Sequence, residues 1–168
     1  LIGLLLRHRG HSRAHAWGSY SFERKQLGLI VLAGIAFAST ANLAVNLFGL
    51  DSPPAAPAWD WRLSWASEIL TLCLAVPIAE ELLFRGLLYR AFRLRFTALD
   101  SALFSSLIFA LTHTQYYHAP FMLVSVLLMG MVSSSLLERT SSLTPGITFH
   151  VSSNMATTAI RYLSLFSL

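Results

Sequence analysis

Apolar residues fill the chain in long blocks, and the polar positions that interrupt them fall into a few short clusters. Blocks near the ~20 apolar residues that cross a bilayer as a helix predict five helices. They run from about Gln26 to Leu50, about Ser64 to Ala91, Ser101 to about Tyr116, about Ala119 to Leu137 and about Pro145 to Leu163. Between the first two lies "DSPPAAPAWDWR", whose prolines and tryptophans suit a connection at a membrane surface. The expected fold is all-α, a polytopic bundle of transmembrane helices. Residues 1–25 read as a basic juxtamembrane segment and 26–63 as the first helix with an external loop. Residues 64–168 read as the bundle that carries the chemistry.

Composition supports this reading. Of the 168 residues, 55% are hydrophobic and 12% charged, about half the charged share of an ordinary soluble domain. The net charge is +4 and the isoelectric point is near 9.7. In a membrane chain these basic residues act as topology signals, and no nucleic-acid partner is expected. Arg7, Arg9, Arg13, Arg24, Lys25, Arg90, Arg93, Arg95 and Arg139 fall on one side if the helices alternate, against Arg62 and Arg161 on the other. The first side is therefore expected to be cytoplasmic, in a bacterial inner membrane. His8, His11 and His15 lie among arginines in "RHRGHSRAH" at no common metal-ligand spacing, and read as a basic face near anionic headgroups. The single cysteine, Cys73, permits no internal disulfide and reads as packing. The sequence opens without Met, and Leu1 to Leu6 read as the tail of an earlier helix, so a longer natural protein with more helices is expected.

Candidate chemistry lies in "AVPIAEELLFRGLLYR", residues 75–90. A charged residue at mid-membrane costs at least ~2.5–3.5 kcal/mol, so each needs a reason to be there. Glu81 and Arg85 are i and i+4, in the favourable order for an ion pair. Glu80 points about 100° away from Glu81 and finds no partner on its own helix. Pro77 removes a backbone donor one turn earlier and predicts a kink that strands the Cys73 carbonyl. In "FALTH", Phe109 and His113 are i and i+4; in "HVSSN", His150 and Asn154 are i and i+4. Counted at 1.5 Å per residue, Glu80, His113 and His150 reach one layer if the helices tilt. One buried His or Asn is ordinarily interhelical glue, and Glu68 and His118 are read that way. Glu, His, His and Asn delivered by three helices to similar depth read instead as a site.

"EELLFR", "FALTH" and "HVSSN" occur in the order EExxxR, FxxxH, HxxxN. Over about residues 65–165 the chain thereby resembles the CPBP family of membrane proteins: CAAX-type prenyl proteases and bacteriocin-processing or immunity proteins, also called Abi proteins. The resemblance implies a glutamate-type intramembrane endopeptidase whose site opens to the cytoplasm and whose substrate is a membrane-anchored protein or peptide. Carried onto this sequence, Glu80 and His113 activate water, His150 and Asn154 form the oxyanion hole, and Glu81, Arg85 and Phe109 support the site. No cofactor is implied. Zinc held by Glu80, His113 and His150 is the alternative, disfavoured by the lack of HExxH and by the poor ligand character of Asn. Two rival functions stay open. A non-catalytic immunity or scaffold protein would use the cluster as glue, and a transporter would use Glu80 as a proton carrier. The absence of a second copy of the polar helix pattern speaks against the transporter.

Overall fold

The computed structural model describes residues 24–50 and 66–165. The expected N-terminal helix tail, the basic stretch with His8, His11 and His15, and the Pro/Trp-rich connection lie outside the described residues. Every regular element described is helical. Helix α1 is Arg24–Phe48. Helix α2 is continuous over 66–92, α3 is Ala98–Leu111, α4 is Pro120–Thr140 and α5 is Thr144–Leu165.

The boundaries have local causes. At α3, the Thr97 hydroxyl accepts the Asp100 amide and donates to the Asp100 carboxylate, an N-terminal cap that satisfies a backbone donor the helix cannot. Helix α4 begins on Pro120, where a missing N–H costs nothing. It ends at Ser141, a left-handed residue with φ 54° whose amide returns to the Leu137 carbonyl at 2.7 Å. The third helix stops at Leu111, short of the expected Tyr116. There Thr112 Oγ1 donates to the Phe109 carbonyl at 2.7 Å and His113 Nδ1 turns back onto the same oxygen at 2.9 Å. Side chains that bond nearby carbonyls compete with the helical ladder, and a short 3₁₀ turn, Thr114–Tyr116, follows.

Helix α2 departs most from an ordinary helix. Ile69–Ala75 and Glu81–Tyr89 are wide π-type turns flanking a normal turn, Val76–Glu80, with Pro77 at its start. π-turns are rare and gather at functional sites.

The bundle is apolar outside and polar within. Leu29, Leu32, Leu70 and Leu99 are each more than 60% exposed, while Ser101, Ser105, Ser106, Ser133 and Ser134 are buried where α3 and α4 face each other. Small polar side chains between helices and leucines outside suit a lipid solvent, where close backbone approach and not water expulsion drives association. Lys25–Phe48 and Pro120–Thr140 are each long and apolar enough to cross a membrane. Helix α1 packs on α5 through Gly34, whose Cα faces the Phe149 carbonyl and Ser152, and Ser153 donates to the Gly34 carbonyl at 3.1 Å. At the other end of the bundle, Glu138 on α4 accepts from the Tyr89 hydroxyl at 2.6 Å and from both ends of the Arg93 fork.

Candidate functional site

Three of the expected residues meet at one carboxylate. His113 Nε2 lies 3.9 Å from Glu80 Oε1, and His150 Nε2 lies 3.7 Å from Glu80 Oε2. Both gaps are too long for a direct hydrogen bond and of the size that a bridging water fills. The Glu80 side chain is 22% exposed, against 1% for Glu81. Glu80 faces a cavity and Glu81 faces protein.

Hydrogen bonding orients each imidazole. The Phe109 carbonyl can only accept, so His113 Nδ1 donates to it and Nε2 is the ring nitrogen turned toward Glu80. His113 lies just outside α3, yet its ring still meets the edge of Phe109 at 4.7 Å. That contact comes from the bond back to the Phe109 carbonyl, not from a helical i,i+4 face. On α5, His150 Nδ1 sits 3.2 Å from Glu81 Oε1. His150 is thus held between the two adjacent glutamates.

Glu81 and Arg85 are both fully buried, with Arg85 Nη1 3.4 Å from Glu81 Oε1 and the guanidinium 4.4 Å from the Phe109 ring centre. Glu81 Oε2, all three guanidinium nitrogens and the hydroxyls of Ser106 and Ser133 lack hydrogen-bond partners among the described residues. Two glycines make room for this pair. A Cβ on Gly130 would stand 2.7 Å from Arg85 Nη2, and one on Gly146 would stand 3.1 Å from Glu81 Oε2. Neither glycine was singled out by the motifs; a glycine inside an apolar helix is the only sequence signal either gives.

Asn154 lines the same cavity, but its amide nitrogen donates to the Leu72 carbonyl on α2 at 2.8 Å. The wide turn before Pro77 accounts for this bond. The Val76 amide reaches back five residues to Thr71, so the next donor in that register, which would serve Leu72, falls on Pro77 and does not exist. In this register the Leu72 carbonyl is stranded, one residue before the Cys73 carbonyl expected from normal helical spacing. One amide hydrogen of Asn154 therefore repairs the π-turn and the other is left for different work.

The cavity measures about 280 Å³ and continues past the glutamate to Tyr116, Gln115, Thr157 and Arg161. The Tyr116 ring stacks on His113 at 6.0 Å. Burial pushes the Tyr116 phenol up from its ordinary pKa, while the Arg161 charge pulls it down and Glu80 adds to the rise. Tyr116 thus stands within electrostatic reach of both ends of the cavity. Gln115, Thr157 and Arg161 are exposed, which places the open end away from the turns that hold Arg93, Arg95 and the nearby Arg139. The cavity therefore opens at the end of the bundle opposite those turns.

Among the described residues, no set of three or more His, Cys, Asp or Glu side chains is placed to hold a metal ion. No curated protein and no solved structure matches the chain. Over residues 62–156, which span Glu80, His113, His150 and Asn154 and more than half of its length, the chain matches the family described as type II CAAX prenyl endopeptidase Rce1-like, and it belongs to that family.

Proposed function

We propose that the chain is a glutamate-type intramembrane endopeptidase, hydrolysing a peptide bond in the C-terminal region of a membrane-anchored protein or peptide. The observation that carries this reading is the separation of Glu80 and His113 by 3.9 Å across a cavity wall. Water between the carboxylate and the Nε2 lone pair has two acceptors and gives one hydrogen to each, which turns its own lone pair outward toward a carbonyl carbon. As that water attacks, Glu80 or His113 takes its proton and returns it to the leaving nitrogen as the C–N bond breaks. A positioned base or acid of this kind contributes ~10²–10⁴ in rate.

The oxyanion that forms on the carbonyl is met by His150 and Asn154. Because Nδ1 of His150 faces Glu81, Nε2 donates only when the ring carries both protons or when a protonated Glu81 donates a hydrogen bond to the Nδ1 lone pair. The second amide hydrogen of Asn154 is the other donor. One donor aimed at a developing oxyanion is worth ~2.7–4 kcal/mol. Phe109 covers Arg85, Arg85 pairs with Glu81 and Glu81 holds His150; Phe109, Arg85 and Glu81 need not touch substrate. Membership of a peptidase family supports the reaction class. The family and the two apolar helices point to an integral membrane protein.

Wild type and Glu80→Gln are compared on membrane-tethered peptides, with products read by mass spectrometry. Cleavage by the wild type alone, unchanged by chelator, is the expected result. Loss of cleavage with chelator and its return with zinc would sink the metal-free mechanism. A Glu80→Gln protein that keeps its cellular function while neither form cleaves would favour the immunity or scaffold role.

A further inference from the structure

Of the four residues assigned to the reaction, Glu80, His150 and Asn154 are carried by helices, and His113 alone is not. It sits between the end of α3 and the Thr114–Tyr116 turn, with φ −86° and ψ 62°. No helical ladder fixes the direction of its side chain there. The imidazole must be held by its contacts if Nε2 is to stay on Glu80.

Three contacts hold it. Nδ1 donates to the Phe109 carbonyl at 2.9 Å, which fixes one nitrogen and leaves the ring plane free to rock. The Phe109 ring meets the imidazole at 4.7 Å and a steep 76°. The Tyr116 ring lies 6.0 Å away with its plane only 9° from that of the imidazole, within the range of offset-stacked aromatic pairs. One parallel and one steep ring block rocking in different directions.

Tyr116 is itself anchored. Its amide donates to the His113 carbonyl at 2.9 Å, closing the turn that carries both residues. Its ring packs on the buried group of Phe84, Phe109, Ala110 and Val126, contributed by α2, α3 and α4. Leu88 and Leu127 pack on the same group, so this core has other apolar cover. What Tyr116 adds is a flat face for the imidazole at the wall of the cavity.

We propose that Tyr116 is a positioning residue of the reaction. Its ring, not its hydroxyl, holds the His113 imidazole at the angle that keeps Nε2 on the water shared with Glu80. This inference rests on the proteolytic reading, in which His113 works on that water. It does not follow from that reading, since the bond to the Phe109 carbonyl could have held the imidazole unaided.

The test compares wild type, Tyr116→Phe and Tyr116→Leu on one tethered peptide, well below their melting temperatures. Tyr116→Phe keeps the flat face and should cleave like the wild type. Tyr116→Leu keeps apolar bulk without the face. It should lower kcat at least about tenfold, since ~1 Å of misplacement at a catalytic group can cost ~10² in rate. KM should not change, because the lost interaction belongs to the transition state. With histidines labelled for NMR and His113→Gln used for assignment, Tyr116→Leu should shift the His113 ring signals and leave those of His150 in place. Tyr116→Phe as slow as Tyr116→Leu would make the hydroxyl the working group and overturn the proposal. So would Tyr116→Leu with wild-type kcat, or a fall in kcat with His113 unmoved or with both histidines displaced together. Should Tyr116→Leu not fold, Tyr116→Met, a pliant apolar side chain, takes its place. Failure of both to fold also overturns the proposal, because the ring then serves the fold. Each of these results leaves the protease standing, whereas a wild type that cleaves no peptide overturns both.

Discussion

Gly130→Ala tests how the buried ion pair governs the site. Gly130 lies on α4 where it passes α2 and α3, and the added methyl would stand 2.7 Å from Arg85 Nη2 and from Cβ and Oγ of Ser106. Ordinary contacts begin at 3.4 Å, so the shortfall is about 0.7 Å. Neither neighbour can retreat without disturbing what holds it. Arg85 is held by Glu81 at 3.4 Å and capped by Phe109 at 4.4 Å, and the Cβ of Ser106 is fixed to the backbone of α3. Overpacking of this size costs ~1–3 kcal/mol, offset by the ~1 kcal/mol that alanine gains over glycine in a helix. The net destabilisation is then about 0–2 kcal/mol. Activity should suffer more. A shifted guanidinium drags Glu81, and Glu81 fixes His150 at 3.2 Å; misplacing a catalytic group by ~1 Å can cost ~10² in rate. The assay pairs peptide cleavage with thermal unfolding in the same detergent. Gly28→Ala on α1 serves as control, because nothing lies within 4 Å of its new methyl. Gly130→Ala with wild-type melting and wild-type cleavage would refute the claim that Arg85 is clamped against α4.

Other expectations follow from single contacts. Asn154→Ala removes the donor to the Leu72 carbonyl and should lower stability by ~1–3 kcal/mol along with activity. Lost cleavage at an unchanged melting temperature would mean that the amide serves the reaction alone. Gly34→Ala places a methyl 2.6 Å from the Phe149 carbonyl, against Ser152 as well, and should push α1 off α5. Cysteines at Phe37 and Phe149, whose rings lie 5.6 Å apart, would then cross-link more slowly than in a background that keeps Gly34. An unchanged rate would mean that the two helices do not pack through this glycine.

The sequence made helices and motifs legible for definite reasons. Five apolar blocks give five long helices because a chain in lipid must satisfy its own backbone. The Glu81–Arg85 pair was legible because i,i+4 spacing alone brings the two together. The odd position of Glu80 was legible because a turn of 100° sends its neighbour elsewhere. The end of α3 was harder to see. "FALTH" reads as continuing helix, and only the competition of the Thr112 and His113 side chains for the Phe109 carbonyl stops it. The wide turns of α2 were also hidden, although Pro77 marks the place where they matter.

By itself, then, the sequence determined what lies along each helix: its length, its apolar outside, and which residues share a turn. These are short-range consequences of helical geometry and need no partner. Contacts between helices were decided by tertiary structure. It set His150 between Glu80 and Glu81, sent one amide hydrogen of Asn154 to Leu72, and turned the cavity toward Arg161. Such contacts depend on the depth and tilt at which helices cross. Depth and tilt are set by small residues such as Gly34, Gly130 and Gly146, whose importance lies in what stands opposite them.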